Sequence, residues 1–129
     1  MEARSGGSYR NLEVYGLAHS LGVVVHKFSL RLPRFELYET GSQLRRASKS
    51  VSQNIVEGYG RRRYKAEFVR FLIFALASCD ETTECLEYVH DCHDAFCSDA
   101  ITLLQTADEL GKKLNRFIQS VDREHRSPK

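Results

Sequence analysis

Basic side chains that could bind phosphate are concentrated in one stretch of this sequence, residues 44–78. The stretch carries eight Lys or Arg residues and two Glu residues, whereas the other 94 residues carry eleven basic and fifteen acidic residues. Because Lys and Arg neutralise phosphates and release counterions, such a cluster is what binding to nucleic acid requires. The predicted nucleic-acid-binding residues are Arg45, Arg46, Lys49, Arg61, Arg62, Arg63 and Lys65.

Two tyrosines support this prediction, and the overall charge limits it. Tyr59 and Tyr64 flank the three consecutive arginines and could stack on the unpaired bases of RNA. A solvated turn beside an ordinary charged helix face would carry the same residues, however. The net charge is +2 and the pI is near 8.4, which is below the level typical of a strong nucleic-acid binder.

Carboxylates close to these arginines do not make a catalytic pair. General acid–base catalysis needs two carboxylates that converge on one cleft, but Glu57 and Glu67 flank a tight turn. We predict instead that they form a structural ion-pair cluster with Arg70 at the corner between two helices. The sequence has no glycine-rich phosphate loop, and its spacings support no Ser/His/Asp or Cys/His grouping. The protein is therefore predicted not to be an enzyme.

Potential metal ligands occur near residue 90 but form an incomplete set. Glu87 and His90 match half of the motif that binds two iron ions in helical bundles, and that chemistry needs two such motifs. His90, His93 and Cys97 could bind zinc, but no fourth ligand accompanies them. We predict no metal site and no cofactor.

Four amphipathic segments must position these residues. Apolar residues recur at steps of three and four in each segment, and none of the segments shows the alternation of a strand. Short connections between such helices give an antiparallel up-down-up-down four-helix bundle, so the predicted fold class is all-α. A bundle over residues 11–123 leaves flexible tails at 1–10 and 124–129. The predicted helices are 11–32, 36–59, 64–95 and 99–123.

Particular residues mark the predicted helix ends. Asn11 is a good N-cap for the first helix, and Gly41 is a weak point near the start of the second. Gly58 and Gly60 bracket the turn before the arginines, where glycine adopts the left-handed conformation without strain.

Two of the predicted helices carry more apolar surface than an isolated bundle needs. The third helix is apolar almost all round between Phe68 and Leu76. The first helix has, opposite its core stripe, a second semi-apolar stripe that includes Tyr15, His19, Val23 and His26. We therefore predict that copies of the chain contact one another in a homo-oligomer.

The cysteines and the absence of long apolar runs indicate in which cellular compartment the protein resides. Cys85 and Cys92 would lie ~10 Å apart along a helix, beyond the reach of a disulfide, which favours free thiols in a reducing compartment. No apolar run approaches the ~18 residues of a membrane span, and the first residues lack the apolar core of a secretory signal. We predict a cytoplasmic protein with no membrane contact.

Three short motifs give this sequence a resemblance to a known family. They are Gln43–Ala47 (QLRRA), Asn54–Gly58 (NIVEG) and Glu67–Leu72 (EFVRFL). Their spaced combination resembles the 23S rRNA intervening-sequence proteins, a family of small bacterial four-helix bundles, and the resemblance covers residues 11–120. Ser52 stands where many members have proline, and Tyr64 and Lys65 stand near where a serine cap is common.

The resemblance implies a homopentamer and no established enzymatic activity. Members are encoded in or near split ribosomal RNA genes in some bacteria, and a related group of bundles that serves diversity-generating retroelements is associated with nucleic-acid binding. Together with the basic cluster, this predicts a non-enzymatic oligomer that binds nucleic acid, RNA rather than DNA. The alternative is a structural or adaptor oligomer that binds a protein partner and no nucleic acid.

Overall fold

The computed structural model describes residues 8–124, which form four long α-helices and three single-turn 3-10 helices. No strand occurs within this part of the chain, and the predicted all-α fold is confirmed. The long helices are α1 (Glu13–Ser29), α2 (Thr40–Gly60), α3 (Lys65–Cys92) and α4 (Cys97–Glu124). The 3-10 helices precede α1, α2 and α4, at Tyr9–Asn11, Arg34–Glu36 and Asp94–Phe96.

Contacts between the helix ends show how the bundle is arranged. Glu13 at the start of α1 pairs with Lys113 late in α4, with 3.2 Å between the carboxylate and the ammonium group. Arg31, just after α1, pairs with Asp99 at the start of α4 at 2.9 Å. These two helices are therefore antiparallel. Each helix packs on two neighbours, α1 on α2, α2 on α3, α3 on α4 and α4 on α1, as in the predicted up-down-up-down bundle.

The core lies between the four helices and is built from the predicted apolar stripes. Buried side chains recur every three or four residues along each helix, so that one face of each helix points inward. The largest fully buried apolar side chains come from all four helices and include Leu21, Leu44, Ile55, Leu72, Leu86, Leu110 and Leu114.

The second helix begins at Thr40 rather than at the predicted residue 36, because a tertiary contact holds the preceding turn. Glu36 is buried, and its carboxylate accepts a hydrogen bond of 2.7 Å from His93 at the end of α3. This contact keeps residues 34–36 in a separate 3-10 helix. Gly41 then lets α2 start close to that turn, since a Cβ at this position would lie 2.8 Å from the carbonyl oxygen of Glu36.

The other helix ends also differ from the prediction. Asn11 is not the N-cap of α1. It is the last residue of a 3-10 helix whose N-cap is Ser8. The residue before α1 is Leu12, which has an extended backbone and makes no side-chain capping hydrogen bond. α1 ends at Ser29, before the predicted 32. Residues 94–96 form a 3-10 helix instead of ending the third helix. Of the predicted tails, residues 1–7 and 125–129 lie outside the described residues.

The turn between α2 and α3 is not made by a left-handed glycine, contrary to the prediction. α2 includes Gly58 and ends at Gly60, neither of which has a positive φ, and Arg61 caps the helix with a φ of −105°. Gly58 serves packing instead. A Cβ at Gly58 would lie 3.1 Å from the Cβ of Phe71 and 3.2 Å from the carbonyl oxygen of Phe68. Glycine thus lets α2 and α3 approach closely at this corner.

Two smaller predictions can be compared with the described residues. No helix within residues 8–124 is long and apolar enough to cross a membrane. The four cysteines are free thiols, as predicted, with Cys79 and Cys85 buried and Cys92 exposed.

Candidate nucleic-acid interface

Arg46 and Lys49 form the exposed basic surface of α2. Both side chains are exposed, and neither makes a hydrogen bond, an ion pair or an aromatic contact with any other described residue. They project from the side of α2 opposite the buried Leu44 and Val51. These two cations are therefore available to an external anion.

Arg45, the neighbour of Arg46, points into the bundle. One nitrogen of its guanidinium group donates to the Ser29 hydroxyl at 2.9 Å, and the other donates to the Leu37 carbonyl oxygen at 2.6 Å. Arg45 is half-buried, whereas Ser29 is fully buried. The side chain joins the end of α1 to the connector before α2, so the structure separates it from the basic surface on which the sequence placed it.

Arg61 lies at the centre of an ion-pair cluster at the α2–α3 corner. Its guanidinium group is 3.3 Å from the Glu57 carboxylate and 3.7 Å from the Glu67 carboxylate, and it lies over the ring of Phe71 at 4.6 Å. Glu67 also pairs with Arg70 at 3.5 Å. The predicted structural ion-pair cluster of Glu57, Glu67 and Arg70 is confirmed, with Arg61 as an additional member. Part of the charge of Arg61 is therefore already neutralised.

The remaining basic residues of the turn differ in their surroundings. Arg62 is half-buried, donates to the Tyr59 carbonyl oxygen at 2.9 Å and lies 4.1 Å from the centre of the Tyr59 ring. Lys65 donates to the Asp122 carbonyl oxygen at the end of α4. Arg63 is exposed and makes no such contact with another described residue. Of the four basic residues at the turn, Arg63 is thus the most accessible to an external phosphate.

The predicted cluster consequently divides into two surfaces. Lys49 and Arg61 are twelve positions apart, which is about 18 Å along a helix axis. A bound strand that contacts both the middle of α2 and the turn must follow the length of the helix.

A groove between α1 and α2 lies beside Lys49, and the sequence reasoning did not identify it. Its volume is about 430 Å³. The signal in the sequence is the second semi-apolar stripe of the first helix, from which the sequence predicts a contact with another copy instead. The polar and aromatic residues that line the groove include Tyr15, His19, His26, Lys27, Lys49 and Gln53.

Comparison with known proteins identifies the family. The sequence matches the family described as 23S rRNA-intervening sequence protein over residues 10–116. The chain belongs to this family. A search of curated proteins finds no match. The resemblance inferred from the three motifs is therefore confirmed, and it extends over nearly all of the bundle.

The three potential zinc ligands of this 23S rRNA-intervening sequence protein, His90, His93 and Cys97, are engaged in other contacts. Within residues 8–124 no group of three or more His, Cys, Asp and Glu side chains is arranged to hold a metal ion. His93 is bonded to Glu36, and the Cys97 thiol donates to the His90 carbonyl oxygen at 3.2 Å.

Burial, and to a smaller extent the nearby carboxylates, raises the pKa of the Cys79 thiol to about 11, so this thiol is protonated at neutral pH.

Proposed function

We propose that this member of the 23S rRNA-intervening sequence protein family is a non-enzymatic, cytoplasmic RNA-binding protein whose main contact surface is the outer face of α2. The observation that supports this proposal is the presence of Arg46, Lys49 and Arg63, three exposed cations without a partner among the described residues. Because no described residue neutralises their charges, each can replace a condensed counterion on a phosphate.

The seven predicted contact residues contribute unequally in this proposal. Arg46, Lys49 and Arg63 contribute most, because no hydrogen bond with another residue of the described range must break for them to contact phosphate. Arg61, Arg62 and Lys65 contribute less, because each is already held by an oxygen acceptor. Arg45 contributes through the fold alone, since its guanidinium group is bonded within the bundle.

RNA is preferred over duplex DNA in this proposal because an aromatic side chain is exposed beside the turn. Tyr64 is 56% exposed and directly follows Arg63. Single-stranded RNA presents unpaired bases that stack on such rings, whereas the bases of a duplex are stacked on each other.

The test measures the affinity for single-stranded RNA over a series of salt concentrations. The slope of the logarithm of the affinity against the logarithm of the salt concentration, the salt slope, reports how many phosphates are contacted. The triple variant Arg46→Gln, Lys49→Gln, Arg63→Gln removes the three free cations. We expect its salt slope to be flatter by about 0.7 for each lost single-strand phosphate contact, which is about 2 for all three. Fluorescence anisotropy with a labelled oligonucleotide gives both the affinity and the slope.

A matched triple variant controls for the change in net charge. Arg34, Lys112 and Arg116 are exposed cations that belong neither to α2 nor to the turn after it, and their replacement by glutamine removes the same total charge. We expect this control to keep the salt slope of the wild-type protein. Equal loss in both triple variants would mean that binding reflects net charge alone and would refute the proposed surface.

We also propose that the protein self-associates, with five copies as the family resemblance implies. Two exposed apolar side chains on α3 support this part of the proposal, since Ile73 is 49% exposed and Phe74 is 41% exposed. Exposure of such side chains to water does not stabilise a monomer, and an apolar patch of this kind is typical of a protein interface. Light scattering at micromolar concentration tests it. A mass of about five chains of 14.8 kDa is expected, and a stable monomer would contradict it.

One observation favours the alternative, an adaptor that binds a protein and no nucleic acid. Tyr88 is 58% exposed and Ile101 is 45% exposed, and they lie beside the carboxylates of Glu84, Glu87 and Asp91. An apolar surface bordered by acids suits a basic protein partner and repels nucleic acid. If the wild-type protein binds no RNA at low salt, this function becomes the better explanation.

A further inference from the structure

We propose that the groove between α1 and α2 binds one unstacked base of a single-stranded RNA whose phosphates lie along α2. This inference rests on the proposed RNA binding and specifies where a base, rather than a phosphate, is recognised. The groove volume of about 430 Å³ is within the range of small-molecule sites in proteins.

The charges that line the groove favour an anionic ligand. The described lining includes Lys27 from α1 and Lys49 from α2, and it includes no carboxylate. Lys49 is one of the cations without a partner on the outer face of α2. A phosphate that contacts Lys49 therefore brings the attached nucleotide to the entrance of the groove.

Two aromatic rings at one end of the groove provide a stacking surface. The rings of Tyr15 and His19 are stacked with their centres 5.8 Å apart, and Tyr9 contacts the edge of Tyr15 at 4.8 Å. His19 is exposed while Tyr15 packs against the core, so the histidine ring is the accessible one. Histidine is among the residues on which unpaired RNA bases stack.

Polar groups in the lining of the groove favour a ligand with hydrogen-bonding edges. The Nδ1 atom of His26 is buried and has no hydrogen-bond partner among the described residues. Ser52 and Gln53 also line the groove and add a hydroxyl group and an amide. The edge of a nucleobase carries both donors and acceptors, so it can bond to the hydroxyl group of Ser52 and to the amide of Gln53.

The apolar part of the lining fits the faces of a base. Val23 and Val56 contribute aliphatic surface from the two helices, and Gly22 leaves space between them. A planar aromatic ring system with polar edges matches this lining better than a purely apolar side chain does. A purely apolar side chain would cover the amide of Gln53 without bonding to it.

The experiment compares a short oligouridine RNA with an abasic RNA of the same length. We expect the wild-type protein to bind oligouridine about fivefold to about 150-fold more tightly, which corresponds to the stacking of one base. His19→Ala removes the stacking ring, and Ser52→Phe fills the groove. Both variants should reduce the preference for oligouridine over abasic RNA by about this factor, while the salt slope stays unchanged because the phosphate contacts remain.

His90→Ala is the matched control, since His90 lies on α3 near Asp91 and away from the groove. It should keep the preference for oligouridine. Nuclear magnetic resonance of the histidine rings of the wild-type protein provides a readout that needs no mutation. Added uridine monophosphate should shift the signals of His19 and His26 but not that of His90.

Several outcomes would overturn the inference. Equal affinity of the wild-type protein for oligouridine and abasic RNA would mean that phosphates alone are bound, so the proposed RNA binding would stand without a base site. No binding to either RNA would overturn both proposals. A last outcome would be that Ser52→Phe dissociates an oligomer and that uridine monophosphate does not shift the resonance signals of His19 and His26. The occupant of the groove is then a second copy of the chain.

Discussion

At the scale of single residues, the nearest acceptor in the fold determines whether an arginine is available for binding. Arg45 and Arg46 are adjacent in the sequence, but Arg45 is bonded to Ser29 and Leu37 while Arg46 has no partner among the described residues. Helical spacing alone places both near the same outer face. Their difference depends on a serine 16 residues earlier in the chain, which the local pattern does not reveal.

Replacement of each arginine by alanine should separate the two roles. Arg45→Ala should lower the free energy of unfolding by about 1.5–3 kcal/mol, because charge-assisted hydrogen bonds to Ser29 and Leu37 are lost. Arg46→Ala should change it by less than about 0.5 kcal/mol, as is usual for an exposed side chain. Urea denaturation measures both values. Equal stability of the two variants would mean that the contacts of Arg45 contribute nothing to folding.

Glu36 makes the stability of the bundle depend on pH in the acid range. Burial by itself raises the pKa of Glu36, but hydrogen bonds with His93 and Thr40 outweigh burial and lower this pKa below its ordinary value of 4.5. Folding therefore favours the ionised carboxylate, and this contribution to stability is present above about pH 4.5. It is lost as the pH falls through the lower pKa of the folded chain.

Glu36→Gln should remove this contribution. At pH 7 we expect the variant to be less stable than the wild-type protein by about 1 kcal/mol, the scale of one weakened hydrogen bond. The difference should shrink as the pH falls below 4.5 and through the lower pKa of the folded chain, because the wild-type carboxylate then also becomes protonated. Glu39→Gln, at an exposed carboxylate three residues later, is the control and should show neither effect. A constant difference from pH 7 to pH 3 would contradict the linkage.

At the scale of helices, the sequence predicts the elements well and their ends poorly. The repeat of apolar residues determines which segments are helical, because each helix must bury one face. The start of α2 depends instead on Glu36 and His93, which are 57 residues apart. The position of the turn after Gly60 likewise depends on how Gly58 packs on Phe68 and Phe71 of α3. No local capping rule contains these contacts.

Two glycines should respond oppositely to substitution by alanine. Gly41→Ala should destabilise the protein by about 1–3 kcal/mol, because the new Cβ would lie 2.8 Å from the backbone oxygen of Glu36 and one of the helices must shift. Gly16→Ala, within α1, should stabilise it by about 0.5–1 kcal/mol, because no atom from outside its own turn of the helix lies within 4 Å of the new Cβ and alanine favours the helix. Thermal unfolding followed by circular dichroism gives the sign of each change.

At the scale of the whole molecule, the chain separates its charges between two sides of the bundle. The basic residues of α2 and the turn lie on one side, and the second half of α3 exposes Asp80, Glu81, Glu84, Glu87 and Asp91. The sequence predicts this separation, since it follows from which residues fall on the outer faces of the helices. It does not predict the groove beside Lys49, because a groove depends on the distance between α1 and α2.

The exposed apolar residues of α3 lead to the last prediction. Ile73 and Phe74 project from α3 before its acidic half, and Phe74 contacts the ring of Phe71 at 5.5 Å. If copies associate through this surface, replacement of Ile73 and Phe74 together by lysine should place unpaired charges in the interface and release monomers. The fold should persist, because neither side chain belongs to the buried core of the single chain.

Light scattering and circular dichroism together measure the mass and the helix content of this double variant. Tyr88→Lys is the matched control: Tyr88 lies on the same helix, is 58% exposed and is bordered by acids rather than by Phe71. We expect it to keep the mass of the wild-type protein. If Tyr88→Lys instead releases monomers while the double variant remains associated, the copies meet through the acidic end of α3. In that case the Tyr88 ring supplies apolar contact area in the interface, and Ile73 and Phe74 lie outside the interface.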